Sequence, residues 1–254
     1  MKYSARISAV ALLAVCMAVA ALLAAVPPKT QTVQIKSGDE MINGFLALPD
    51  TPGRHPAVVV IHEWWGLNDW VKTQTEKLAA DGYVALAVDL YRGKIATVPE
   101  TAQELMQGTP QDRAVRDLEA GFNFLAARSD VNKAKIASFG WCMGGGYSFQ
   151  LAVHEPRLAA CVVNYGAPPT DPAAIASIKA PILGNFGGDD MGIKPASVRA
   201  FEAAAKGAGK SVDIKIYDGA PHAFENENNK DAYRPQSAAD AWARSTSFLD
   251  KTLK

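Results

Sequence analysis

Two runs, Ala57–Ile61 (AVVVI) and Val84–Val88 (VALAV), contain no polar residue at all and are bounded by turn-forming segments. Five residues are too few for a stable helix, and the unbroken apolar character rules out a strand with one wet face. Such runs fit strands covered on both sides, the signature of a parallel sheet. The segments between them carry helical periodicity. Val115, Leu118, Phe122 and Leu125 recur at spacings of three and four within Gln111–Arg128, which puts them on one helical face. The same reading predicts helices at Asp69–Ala80, Pro195–Ala208 and Ala238–Leu253, and one containing Tyr147–Val153. Further strands are predicted at Val33–Lys36, Ile42–Leu48, Lys135–Phe139, Ala159–Asn164, Pro181–Phe186 and Val212–Tyr217. Strands alternating with helices imply an α/β fold with a mostly parallel sheet and helices on both faces. No linker divides the chain after Pro27-Pro28, so residues 27–254 read as one domain. Gly93–Pro110 is the longest candidate for an insertion, too short for a large cap domain.

The N-terminus has a different composition. Lys2 and Arg6 precede an uncharged stretch from Ile7 to Val26 that ends in small residues. Two cations, an apolar core and small residues form a secretory signal pattern, with cleavage fitting after Ala20 or near Ala25. The stretch is also long enough to remain as an uncleaved anchor, the only membrane association the sequence suggests. The expectation is export to the periplasm or the medium. The 26 basic and 26 acidic residues of the whole chain cancel; beyond residue 26 they become 24 and 26, a net charge of −2. This balance excludes nucleic acid as an electrostatic partner. Three cysteines are too few for a disulfide framework, and beyond residue 26 only Cys142 and Cys161 remain. No cysteine cluster or histidine pair has metal-ligand spacing, and no phosphate-loop or dinucleotide fingerprint is present, so neither metal nor cofactor is expected.

Cys142 lies in Gly140-Trp141-Cys142-Met143-Gly144-Gly145-Gly146, between a predicted strand and a predicted helix. A sharp strand-to-helix turn can hold a nucleophile at the carboxyl edge of a sheet, provided small residues flank it at two positions before and two after. Gly140 and Gly144 meet that demand. The helix N-terminus beneath favours a thiolate and then an oxyanion. The alternative, a buried inert thiol, fits Cys161, which sits inside an apolar strand. A nucleophile needs a base. Of the four histidines, His222 alone lies on a loop after a late strand, in Gly219-Ala220-Pro221-His222. The orienting acid belongs between nucleophile and base in the chain, where Gly187-Gly188-Asp189-Asp190 offers two aspartates. His62-Glu63-Trp64-Trp65-Gly66 follows the Ala57–Ile61 strand, in the loop that in this kind of fold gives one oxyanion-hole amide; Met143 gives the other. Glu63 beside a thiol would raise its pKa or take its proton. His62 reads as a satisfied histidine at a strand end. Trp64 and Trp65 are open between packing and aromatic contact with a substrate.

These pieces together resemble the dienelactone hydrolase family of α/β-hydrolases. The resemblance rests on His62-Glu63-Trp64-Trp65-Gly66, Asp89-Leu90-Tyr91, Gly140-Trp141-Cys142-Met143-Gly144-Gly145, Asp190 and Gly219-Ala220-Pro221-His222-Ala223-Phe224, in family order. It implies an α/β-hydrolase fold and a Cys142–His222–Asp190 triad, with Glu63 contacting the thiol at rest and the amides of Met143 and Trp64 forming the oxyanion hole. It also implies a small-molecule ester or lactone substrate among Trp65, Tyr91, Arg92, Trp141 and Phe224, cleaved through a thioester. The chain departs from the family's best-studied pattern at two positions: Ala223 and Asn226 stand where that pattern has a serine and an arginine that bind a substrate carboxylate. A less charged substrate is therefore expected. The competing readings are a ligand-binding protein that keeps the fold without catalysis and, ranked last for lack of a C-x-x-C, thiol redox chemistry.

Overall fold

The computed structural model describes residues 27–254, and the signal-like segment, residues 1–26, lies outside them. In chain order the elements are β1 (Lys29–Ser37), β2 (Glu40–Leu48), β3 (His55–Ile61), α1 (Asp69–Ala80), β4 (Val84–Val88), α2 (Pro99–Gln107), α3 (Gln111–Ala126), β5 (Val131–Trp141), α4 (Met143–His154), β6 (Ala160–Asn164), α5 (Pro172–Ser177), β7 (Ile182–Gly187), α6 (Pro195–Gly207), β8 (Val212–Tyr217) and α7 (Pro235–Leu253). The strands form one sheet in the order β1-β2-β4-β3-β5-β6-β7-β8. β1 pairs antiparallel with β2, and β2 antiparallel with β4. Every other neighbouring pair is parallel.

The apolar runs occupy the middle of this sheet for the expected reason. In β3, Ala57, Val59 and Ile61 pack into one core with Leu118 and Phe122 of α3 and Phe149 of α4. Val58 and Val60 face the opposite way, onto Val71 and Leu78 of α1 and Leu249 of α7. A strand whose odd and even residues both meet helices can carry no polar side chain without stranding it. α2 and α5 are additions to the elements predicted. α2 lies within the Gly93–Pro110 stretch, spans nine residues and buries only Ala102. α5 is six residues long.

Because β3 through β8 run parallel, their carboxyl ends share one edge. The loops after β3, β5, β6, β7 and β8 therefore converge. β3 leads into α1 on one face of the sheet, whereas β5 leads into α4 on the other. The crevice between their ends is where an open α/β sheet binds its ligand.

Candidate active site

The turn from β5 into α4 is as sharp as the glycine spacing requires. Cys142 has φ 55° and ψ −119°, a conformation that side chains other than glycine rarely adopt. Strain of this kind costs about 1–3 kcal/mol and persists only where the surroundings impose it. Here they do. A Cβ on Gly140 would stand 2.0 Å from the Gly144 carbonyl oxygen, and one on Gly144 would stand 2.3 Å from that of Ile61. Cys142 is thus held half-exposed at the edge of the sheet, while Cys161 is fully buried against Ser148, and burial pushes its thiol up to about 11. Both cysteines are free.

Nε2 of His222 lies 3.1 Å from the Cys142 Sγ, and its Nδ1 lies 2.6 Å from Asp190 Oδ2. The other Asp190 oxygen accepts from the Gly192 and Ile193 amides, both at 2.8 Å. The structure therefore brings Asp190 to the imidazole, while Asp189 is exposed at the cleft. Burial alone would push the His222 pKa down. The Asp190 and Cys142 hydrogen bonds and their charges outweigh it and hold the imidazole up at about 10. Burial pushes the Asp190 carboxyl up, but His222 and the two amides win and lower it. The arrangement keeps a proton on the imidazole between a carboxylate and a sulfur. The amides of Met143, first in α4 and so without an intrahelical acceptor, and of Trp64 face no backbone carbonyl partner. Both residues line the cleft together with Cys142.

Glu63 is buried, but its partners are not the expected ones. Its carboxyl accepts from Asn226 Nδ2 at 2.7 Å and from the Tyr165 hydroxyl at 3.4 Å, while the thiol turns to His222. The amide nitrogen of Asn226 is a stronger donor than a thiol, which accounts for the difference. Burial pushes Glu63 up to about 7, against the pull of Asn226, His222 and Tyr165. A second buried carboxyl, Glu225, accepts from Trp141 Nε1 at 3.1 Å and is pushed up by burial to about 8, with Glu63 raising it further. Both carboxyls bind their proton more tightly folded than unfolded, so each makes stability fall as pH rises from about 4.5 through its folded value. For Glu63 the loss is on the order of 3 kcal/mol by pH 8, from its rise to about 7. The Glu63→Gln/Glu225→Gln double variant should show a flatter urea midpoint between pH 5 and pH 8 than the parent; equal slopes would show that neither carboxyl is held neutral.

Four residues expected around a substrate lie elsewhere. Arg92, at φ 57°, is turned away to Asp117 at 2.7 Å and Glu40 at 2.6 Å. Trp141 is 1% exposed; as the last residue of β5 it shares a face with Phe139 and packs on Trp70. Phe224 is wholly buried between Tyr165 and Tyr217. Tyr91 is buried, with its ring edge on His62 and its hydroxyl 3.2 Å from the Met143 sulfur, so it supports the oxyanion loop from behind. Of the expected set, Trp65 lines the cleft, as does Trp64. His62 is satisfied at the strand end, its Nδ1 2.6 Å from the Glu63 carbonyl oxygen and its Nε2 accepting from the Leu90 amide. Sequence reasoning missed Tyr165, which follows β6 at φ 41° and places its ring edge against His222. Its one legible signal is its position, just past the carboxyl end of a buried strand. It missed also the apolar wall formed by Met106, Tyr147, Met191 and Ile193. The cleft holds about 820 Å³.

A parallel sheet with a strained cysteine at a strand-to-helix elbow, a histidine and an aspartate after later strands defines an α/β-hydrolase. The dienelactone hydrolase family profile matches residues 42–253, and the chain belongs to that family. A protein of Saccharolobus solfataricus provisionally named carboxymethylenebutenolidase is 34% identical over 252 residues, covering 84% of this chain and 95% of that one. The crystal structure of a provisionally named dienelactone hydrolase from Klebsiella pneumoniae superposes with a TM-score of 0.82 at 26% identity, covering 89% of this chain and 99% of that one. A dienelactone hydrolase-like promiscuous phosphotriesterase from metagenomic libraries, 22% identical with a TM-score of 0.84 over 90% of this chain and all of that one, shares the fold.

Proposed function

We propose that this protein hydrolyses a neutral carboxylic ester or lactone through a thioester on Cys142. The observation that carries the reading is the continuous relay from sulfur to imidazole to carboxylate, 3.1 Å and then 2.6 Å, opening on an apolar cleft. Cys142 gives its proton to His222 Nε2, 3.1 Å away, and attacks the carbonyl carbon as the thiolate. The amides of Met143 and Trp64 hold the developing oxyanion, and preorganised donors of this kind typically contribute the largest share of the rate. His222, now carrying that proton, gives it to the leaving alkoxide as the C–O bond breaks. A water then takes the alcohol's place and loses a proton to His222 as it attacks the thioester. Collapse of that second tetrahedral intermediate frees the acid, and the proton on His222 re-forms the sulfur–imidazole pair. Asp190 keeps the imidazole oriented and favours its charged form. Glu63, neutral below its value of about 7, leaves the cleft floor uncharged when the thiolate forms.

The preference for a neutral substrate follows from the lining. The cleft presents Glu63, Asp189 and Asp190 and no lysine or arginine, and Arg92 is already paired with Asp117. An anionic lactone would enter a cleft whose cation, the His222 imidazolium, is already engaged by Asp190 and the Cys142 sulfur, leaving none to replace its hydration. Purified protein should therefore turn over neutral short-chain esters and simple lactones with a kcat/KM at least tenfold above that for an anionic dienelactone; the reverse order would refute the substrate assignment. The signal-like residues 1–26 support action outside the cytoplasm, and mass measurement of the protein recovered from the periplasm or medium would show whether and where the segment is cut.

A further inference from the structure

Among the described residues five large apolar side chains are well exposed: Met41, Ile95, Val98, Met106 and Met191. Met41 lies on the β1–β2 edge of the sheet. Of the other four, two line the Cys142 cleft and two belong to a segment docked beside it. Met106, on α2, and Met191, after β7 and 81% exposed, line the cleft themselves from two different elements. Ile95 and Val98 belong to the segment leading into α2. That segment is docked on the cleft wall: the Ala96 amide donates to the Trp65 carbonyl at 2.9 Å, and the Ile95 backbone sits over Gly66. The apolar lining therefore continues out of the cleft onto the surface.

Isolated exposed apolar residues are ordinary, but two from different elements lining one cleft, with two more on the adjoining segment, mark a binding surface. The cleft's volume identifies the occupant. About 820 Å³ is room for a drug-sized molecule, several times a simple lactone ring. The rim is continuous with the space beside the reacting sulfur, so whatever covers it is joined to the group that reacts. We propose that the substrate carries an extended apolar chain, which runs from the carbonyl at Cys142 out between Met106 and Met191, and that these two methionines set the chain-length preference. This inference rests on the hydrolase reading for the position of the carbonyl. Unbranched, flexible thioether side chains suit such a task because they follow a chain of variable length and shape.

Withdrawing one methylene from water can raise kcat/KM by at most roughly fourfold. Nitrophenyl esters from acetate to decanoate vary the acyl side, and methyl to octyl esters of one fixed acid vary the alcohol side. At least a tenfold rise in kcat/KM toward the eight-carbon member is expected in one of the two series. In the Met106→Ser/Met191→Ser variant the ratio of octyl-chain to shortest-chain substrate should fall to below a third of the parent's. Two flat series, or an unchanged ratio in the variant, would overturn the proposal. Binding of butanol and octanol to the Cys142→Ala protein, followed through Trp64 and Trp65 fluorescence, separates the two readings. Tighter octanol binding that the methionine substitutions weaken, in a protein whose parent cleaves no ester, supports the apolar-chain site and removes the hydrolase. Ester turnover without any chain-length dependence does the opposite.

Discussion

Replacing Cys142 with alanine should lower kcat on any ester or lactone substrate by at least ~10⁴-fold while leaving the unfolding midpoint close to the parent's. Among the described residues the Cys142 sulfur is the nucleophile held 3.1 Å from His222 Nε2, in a cleft that Met143 and Trp64 also line. No water in its place can form the covalent intermediate. The fold should survive because alanine has the same Cβ as cysteine. The backbone at φ 55° is no more strained by one than by the other. Cys142→Gly would remove that strain and should raise stability by ~1 kcal/mol or more, with activity equally lost. Retained turnover in either variant, measured with the parent's substrate, would place the chemistry elsewhere.

Gly140→Ala should have the largest effect on stability of any single methyl added to this chain, at least ~4 kcal/mol. The methyl would meet the Gly144 carbonyl oxygen at 2.0 Å, its carbon at 2.3 Å and the Gly145 nitrogen at 2.8 Å. All three are backbone atoms of the first turn of α4, so no side-chain rotation relieves the contact. Relief requires α4 to move off β5, which would also carry Phe149 and Leu151 out of the core. Thermal and urea unfolding would register the loss. A variant as stable as the parent would mean that the elbow is much looser than the geometry shows.

The central strands were legible because burial on both faces excludes polar residues, and the excluded residues are visible in a sequence. α2 was not legible, since it is short, buries only Ala102, and turns Met106 to the cleft instead of to the core. The positions of Cys142 and His222 could be read because each follows a strand end in a glycine-bearing turn, whereas Asp190 rather than Asp189 rested on the family motif. The direction of a side chain is a different matter. Trp141 stands next to the nucleophile in sequence, but alternation along β5 sends it with Phe139 into the layer beneath α1 and α7. Arg92 follows Asp89-Leu90-Tyr91, yet the buried Asp117 carboxylate on α3 draws its guanidinium away from the cleft. Tyr165 and Glu225 owe their positions to contacts between distant segments, with Glu63, His222 and Trp141, which no local pattern encodes. The exchange of a family arginine for Asn226 was visible in the sequence; its consequence, a hydrogen bond that holds Glu63 away from the thiol, was not.

Rapid quenching of the protein during turnover of an activated short-chain ester, followed by intact-mass measurement and peptide mapping, would trap the thioester on Cys142. A mass increase equal to one acyl group is expected, located on the peptide containing Cys142, released by neutral hydroxylamine and absent from Cys142→Ala. Turnover with the acyl group on another residue, or with no acylated species when His222→Ala slows its release, would contradict the thioester on Cys142.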